Sequence, residues 1–214
     1  MSLKPAKRAY NSNRRKEGAR QTRRQIIEAA RQLFIERGYS GATMESIALQ
    51  AGVAVETVYA VFSNKRTILS SLFGVSLVGD DEPTPLLQRQ GPMAVLKEKN
   101  QLRQIQLFSA DMAQIMQRVA PLFMVMRAAA RSEPDIAELL GRMLAERLEG
   151  MKVFVRALAS NGSLPPGLTV EAAAETVWAI TSAEVFTLLV TDRGWSIEKY
   201  QQWLVNALSR LIVP

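Results

Sequence analysis

Chemistry in this chain has few side chains to draw on. Its 214 residues include no cysteine and no histidine. That removes disulfides, thiolate and imidazole ligands and every histidine-based triad, and with them most zinc and copper sites. A helical di-iron carboxylate centre is excluded as well, because its Glu-x-x-His pairs need histidine. Neither a metal, a cofactor nor an enzymatic site is expected. What remains is a concentration of cations. Residues 1–66 carry a balance of +8, whereas residues 67–214 carry −1. A basic segment on a neutral body is the electrostatic footprint of a polyanion partner. Arg14, Arg15, Arg20 and Lys65 lie in that segment as cations, with Thr43 and Tyr59 as further polar groups.

Short helices have to hold these groups. Thr22 with Gln25 three residues on matches a capping box. Ile26, Ala30, Leu33 and Phe34, with Ile27 beside them, form one apolar helical face, and Gly38 closes it. Thr43 can cap a second helix with Glu45 in its first turn and Met44, Ile47, Ala48 and Ala51 inward. Gly52 supplies a sharp turn. Val53, Val58 and Phe62 can pack a third helix back on the first two. A fourth runs from about Lys65 to Leu77, with Ile68, Leu69, Leu72, Phe73 and Val75 as its apolar positions. This order of helix, glycine turn and helix suits a helix-turn-helix, which places one short helix in a DNA major groove.

Breaks at 79–85 and at Gly91-Pro92 read as a linker over 79–92. Only helix patterns follow: 93–119, 121–131 with Pro121 ending or kinking the run, 134–160, 170–191 and 197–212. Pro134 suits a first turn, and Thr169 and Ser196 suit caps. The expected fold is all-α, a three-helix helix-turn-helix domain followed by a larger C-terminal helical bundle. The expected divisions are a basic flexible arm over 1–19, a DNA-binding domain with connecting helix over 20–78, the linker, and an effector-binding and dimerisation domain over 93–214. No run approaches the roughly 18 apolar residues of a membrane helix, and the basic N-terminus lacks the apolar stretch of a secretory signal. A cytoplasmic, nucleoid-associated protein with no membrane partner is expected.

The N-terminal pattern resembles the TetR family of bacterial transcriptional regulators. Ile27, Ala30, Leu33, Phe34, Gly38, Tyr39, Thr43, Ile47, Ala48, Ala51, Gly52, Val53, Thr57, Val58, Tyr59, Phe62, Lys65 and Leu69 carry the resemblance. It implies that Tyr59 donates its hydroxyl to a phosphate and that Lys65 does likewise at the start of the fourth helix. Thr43 sits at a helix N-terminus, which itself attracts phosphate. Base reading falls to residues 54–60: Ala54, Val55 and Thr57 offer methyl contacts to thymine, and Glu56 can accept from a cytosine amine. The family often has serine where Ala54 stands, and histidine or tyrosine where Val61 stands. This leaves the recognition helix short of polar contacts, so Arg14, Arg15 or Arg20 is expected to add contacts, with the minor groove as one site.

A palindromic operator on double-stranded DNA requires two recognition helices about 34–36 Å apart, and therefore a homodimer. Its interface is expected on the last two helices, from Ala172, Ala179, Ala183, Phe186, Tyr200, Leu204, Ala207, Leu208 and Leu211. A small-molecule effector pocket, apolar or amphipathic in preference, is expected around Met112, Met116, Phe123, Met126, Met143, Met151 and Trp178, with Arg127 or Glu184 as polar anchor. The leading reading is a repressor released by that effector. The alternatives are a regulator without a small-molecule effector and a non-specific architectural DNA binder.

Overall fold

The computed structural model describes residues 12–80, 82 and 84–214. The mobile arm expected over residues 1–19, with Lys4, Lys7 and Arg8, lies outside the described residues up to residue 11. From Ser12 onward it is helix. Helix α1 spans Ser12–Gly41, so no helix starts at Thr22. Residues 14–21 are exposed on every side, and burial begins at Ile26. The kink in α1 lies at Gly38, whose φ of 71° and ψ of 176° suit a residue without a Cβ. Tyr39 then folds back so that its ring stacks on Phe34 at 5.7 Å.

Helix α2 (Met44–Ala51) packs on α1, α3 (Val55–Val61) packs on α2, and α4 (Lys65–Val78) closes the unit against α1. Phe34, Ile47, Val58, Phe62 and Leu69 are fully buried among them. Each such side chain contributes about 1.5–3 kcal/mol relative to exposure. The three-helix unit expected from the sequence is therefore present, with α4 as a shared wall.

Helix α4 is gripped from two sides. Arg31 Nη2 donates to Ser76 Oγ at 2.9 Å from α1, while Ser76 Oγ donates to the Leu72 carbonyl at 2.6 Å. From the helical body, Arg118 Nε donates to the Ser76 carbonyl at 2.9 Å and its Nη2 to the Leu77 carbonyl at 3.3 Å. A cation on the last carbonyls of a helix also offsets the negative end of its dipole.

The body is built on α6 (Gln101–Ala129), which touches α1, α4, α5 (Gln90–Lys97), α7 (Pro134–Ala159), α9 (Ala183–Phe186) and α10 (Ile197–Ile212). Helix α8 (Val170–Ile180) packs on α7. No strand occurs among the described residues.

Several further boundaries differ from those expected. The linker is partly helical, since α5 starts at Gln90, and the run expected over 93–119 breaks at residues 98–100. Local caps and one tertiary contact mark that break. The Glu98 carboxylate accepts from the Lys99 and Asn100 amides, Asn100 caps α6, and Asn161 Nδ2 donates to the Glu98 carbonyl at 2.9 Å. Pro121 does not end a helix, because α6 continues through it to Ala129. Its ring is exposed, while Val119, Ala120, Leu122 and Phe123 around it are buried. That burial outweighs the roughly 3 kcal/mol an internal proline costs.

The helix expected over 170–191 is broken at Thr181-Ser182. Ser182 is extended, and its Oγ accepts from the Val185 amide at 3.3 Å. A π-helical stretch, Thr187–Asp192, follows α9. By length and composition Val170–Asp192 is apolar enough to cross a membrane. Here the break divides it into segments that pack on α6 and α7.

Candidate nucleic-acid interface and effector site

The turn between α2 and α3 is fixed by backbone chemistry. Gly52 adopts φ 67° and ψ 34°, the left-handed conformation, and the Val53 amide reaches the Ala48 carbonyl at 3.1 Å. Thr43 is the N-cap of α2: its Oγ1 accepts from the Ser46 amide at 3.1 Å, and Ser46 Oγ accepts from the Thr43 amide at 2.9 Å. The hydroxyl proton of Thr43 remains to be donated, and the residue is exposed.

In α3, Ala54 is the N-cap and provides no side-chain bond, while Glu56 stands in the first turn. Val58 is buried and anchors the helix, and Val55, Thr57 and Val61 are half-buried. The outward face consists of Ala54, Glu56, Tyr59 and Ala60. Tyr59 is 49% exposed, so its ring is free to reach a phosphate. Ala60 belongs to this face although its side chain gave no chemical signal in the sequence.

Lys65 is placed differently from the expectation. Its Nζ donates to the Tyr39 carbonyl at 2.7 Å and lies 4.2 Å from the centre of the Tyr39 ring. Burial holds its pKa below the ordinary lysine range. The ammonium thus ties the start of α4 to the residue after the Gly38 kink. Arg14, Arg15 and Arg20 are exposed on the first turns of α1, on a helix rather than a loose arm. Arg23, further along, donates to Ser71 Oγ at 3.1 Å and covers the Phe62 ring at 4.4 Å.

The expected dimer residues divide into two groups. Ala172, Ala179 and Leu211 are exposed, and Ala207 is half-buried. Ala183, Phe186, Tyr200, Leu204 and Leu208 are buried inside the protomer and cannot form an interface. They are packed by their own neighbours: the Phe186 and Tyr200 rings meet edge to face at 5.0 Å, and α10 lies along α6. Leu188, 56% exposed on the π-helical stretch, was not anticipated, and Ala179 and Leu211 are exposed as well.

Of the expected effector residues, Met112, Met116, Phe123, Met126 and Met151 are buried, and Met143 and Trp178 are half-buried. Arg127 and Glu184, offered as alternative anchors, pair with each other at 2.8 Å at the edge of the body. A cleft of about 600 Å³ lies elsewhere, between the end of α1 (Ile35, Tyr39), α6 (Met124, Ala128) and Phe186, Thr187 and Thr191. None of the nine expected effector residues lines it.

Arg147 was missed. Its Nη2 donates to the Trp178 carbonyl and to Thr181 Oγ1, both at 2.7 Å, where α8 ends. Its sequence signal is a cation within an apolar stripe. Leu140, Leu144, Met151, Phe154 and Leu158 alternate at three and four residues along α7, and Arg147 takes the place between Leu144 and Met151.

A capped helix-turn-helix with an exposed second helix, on a basic segment joined to an all-α body, defines a DNA-binding transcriptional regulator. Comparison with known proteins agrees. Residues 26–72 match the family described as bacterial regulatory proteins, tetR family. The chain is 25% identical over 190 residues to the HTH-type transcriptional repressor BepR of Brucella suis, spanning 86% of this chain and 88% of that protein. Its fold is similar to that of FadR from Bacillus subtilis in complex with stearoyl-CoA, with a TM-score of 0.69 and 22% identity over 86% of this chain and 96% of that one. It is also similar to the SmeT–triclosan complex, with a TM-score of 0.64 and 18% identity over 90% and 92% of the two chains. Over residues 26–72 the chain is similar to the DNA-binding segment of the TetR family of bacterial transcriptional regulators.

Proposed function

We propose that the protein acts in the cytoplasm as a homodimeric repressor that binds a palindromic operator and is released by a small apolar or amphipathic ligand. The observation that carries this reading is the outward face of α3, with Tyr59 exposed and the Thr43 cap of α2 exposed as well. Residues up to 78 form the DNA-binding part, and residues from 93 bind the effector and pair the protomers. Phosphate contacts come from Thr43, Tyr59 and the arginines Arg14, Arg15 and Arg20, and base contacts from Ala54, Val55, Glu56 and Thr57. Pairing uses α8, the π-helical stretch and α10, where Ala172 and Ala179, Leu188, and Leu211 are exposed. Similarity to a protein named as a repressor and to folds solved with stearoyl-CoA and triclosan supports both the sign of regulation and the character of the ligand.

Selection of bound sequences from a random DNA pool tests the reading. A palindromic output is expected, with half-sites about one turn apart. A flat profile with a steep salt dependence would instead mean an architectural binder.

A further inference from the structure

Arg147 is a half-buried cation with most of its donors unspent among the described residues. Its two bonds both come from Nη2, so Nη1 and Nε have no partner among the described residues. Its guanidinium lies 5.3 Å from the centre of the Trp178 ring, and Met143 and Met151 stand one turn to either side on α7. No carboxylate pairs with it among the described residues. Glu184, whose charge it feels, is engaged by Arg127 at 2.8 Å. Burial pushes the pKa of Arg147 down to about 10. Within the same electrostatic field is Tyr200, which is 0% exposed and whose hydroxyl has no hydrogen-bond partner.

An orphan hydroxyl is costly in a packed interior, a partly desolvated cation without a carboxylate is costly beside it, and each can be satisfied by acceptor oxygens. A guanidinium edge fits a carboxylate in particular, because its parallel N–H groups match the two oxygens. The surroundings favour an apolar tail: Trp178 offers a ring face, and the unbranched thioethers of Met143 and Met151 can move aside to admit a chain. We propose that the effector is an amphipathic carboxylic acid whose head group is held by Arg147 and Tyr200 and whose chain lies against Met143, Met151 and Trp178. This rests on the reading that a small ligand controls the protein.

Three probes with one tail and different heads test it on the full-length protein: decanoate, decanol and decyltrimethylammonium, followed by calorimetry. Decanoate is expected to bind at least tenfold more tightly than the other two. Tyr200→Phe, which removes only the unpartnered hydroxyl, should fold as well as the parent, weaken decanoate about fivefold and leave decanol unchanged. Arg147→Gln should abolish the preference for the acid, and Arg147→Lys should keep part of it. If Arg147 serves only to close the end of α8, Arg147→Gln will lower the melting temperature without changing head-group preference, which overturns the proposal. Equal binding of decanoate and decanol by the parent protein also overturns it but leaves ligand control standing. Binding of none of the three overturns both.

Discussion

Lys65→Met separates a structural lysine from a phosphate-binding one. The substitution keeps most of the stem and removes the ammonium. It breaks the 2.7 Å bond to the Tyr39 carbonyl and the contact 4.2 Å above the Tyr39 ring. A hydrogen bond from a charged group contributes about 1.5–3 kcal/mol and a cation over a ring about 0.5–2 kcal/mol. Burial of the ammonium opposes both, as its lowered pKa indicates. A net loss of about 2 kcal/mol follows, or about 4–8 °C in melting temperature for a chain of this size. The assay is thermal unfolding together with the salt dependence of operator binding. A lysine neutralising one phosphate adds about 0.9 to the slope of log affinity against log salt. The structure predicts a lower melting temperature and an unchanged slope. An unchanged melting temperature with a slope reduced by about 0.9 would refute the reasoning and show that the ammonium turns outward to DNA.

Other substitutions test other parts. Arg14→Ala with Arg20→Ala should reduce the salt slope by up to about 1.8 and leave unfolding unchanged, measured by titration at several salt concentrations. Gly38→Ala meets no atom within 4 Å at its Cβ, so its cost is backbone strain alone, about 1–3 kcal/mol by chemical denaturation. Leu188→Asp, on the outer side of the π-helical stretch, should shift the protein toward monomer in sedimentation while each protomer keeps its helical signal. Leu208→Ala should cost about 2–5 kcal/mol in stability, because that side chain is buried within the protomer.

Local signals were enough for the N-terminal part. The Thr43 cap, the Gly52 turn, and Val58 and Phe62 as inward anchors rest on contacts within a few residues, and the structure has all four. The Thr169 and Ser196 caps were equally readable. Contacts distant in sequence were not. The break at residues 98–100 depends on Asn161, and the break at 181–182 is closed by Arg147. The penalty of Pro121 is local and visible in the sequence, whereas the burial that offsets it is spread along α6. An apolar face also looks the same whether its partner is the same chain or a second one, which is why Phe186, Tyr200, Leu204 and Leu208 read as interface. Lys65 had the right type and place for a phosphate, but the acceptor it meets is a backbone carbonyl that no sequence pattern displays.

The double grip on α4 bears on how such regulators can be rebuilt. Ser76 takes a bond from the DNA-binding side through its hydroxyl and another from the helical body through its carbonyl. The two halves therefore share a residue, and a boundary drawn at Gly79 cuts the chain without freeing either side. A chimera that joins residues 1–78 to a different helical body would need an arginine positioned as Arg118 is. Without it, the end of α4 would lose its hold on the body, even if both halves folded and the hybrid bound DNA.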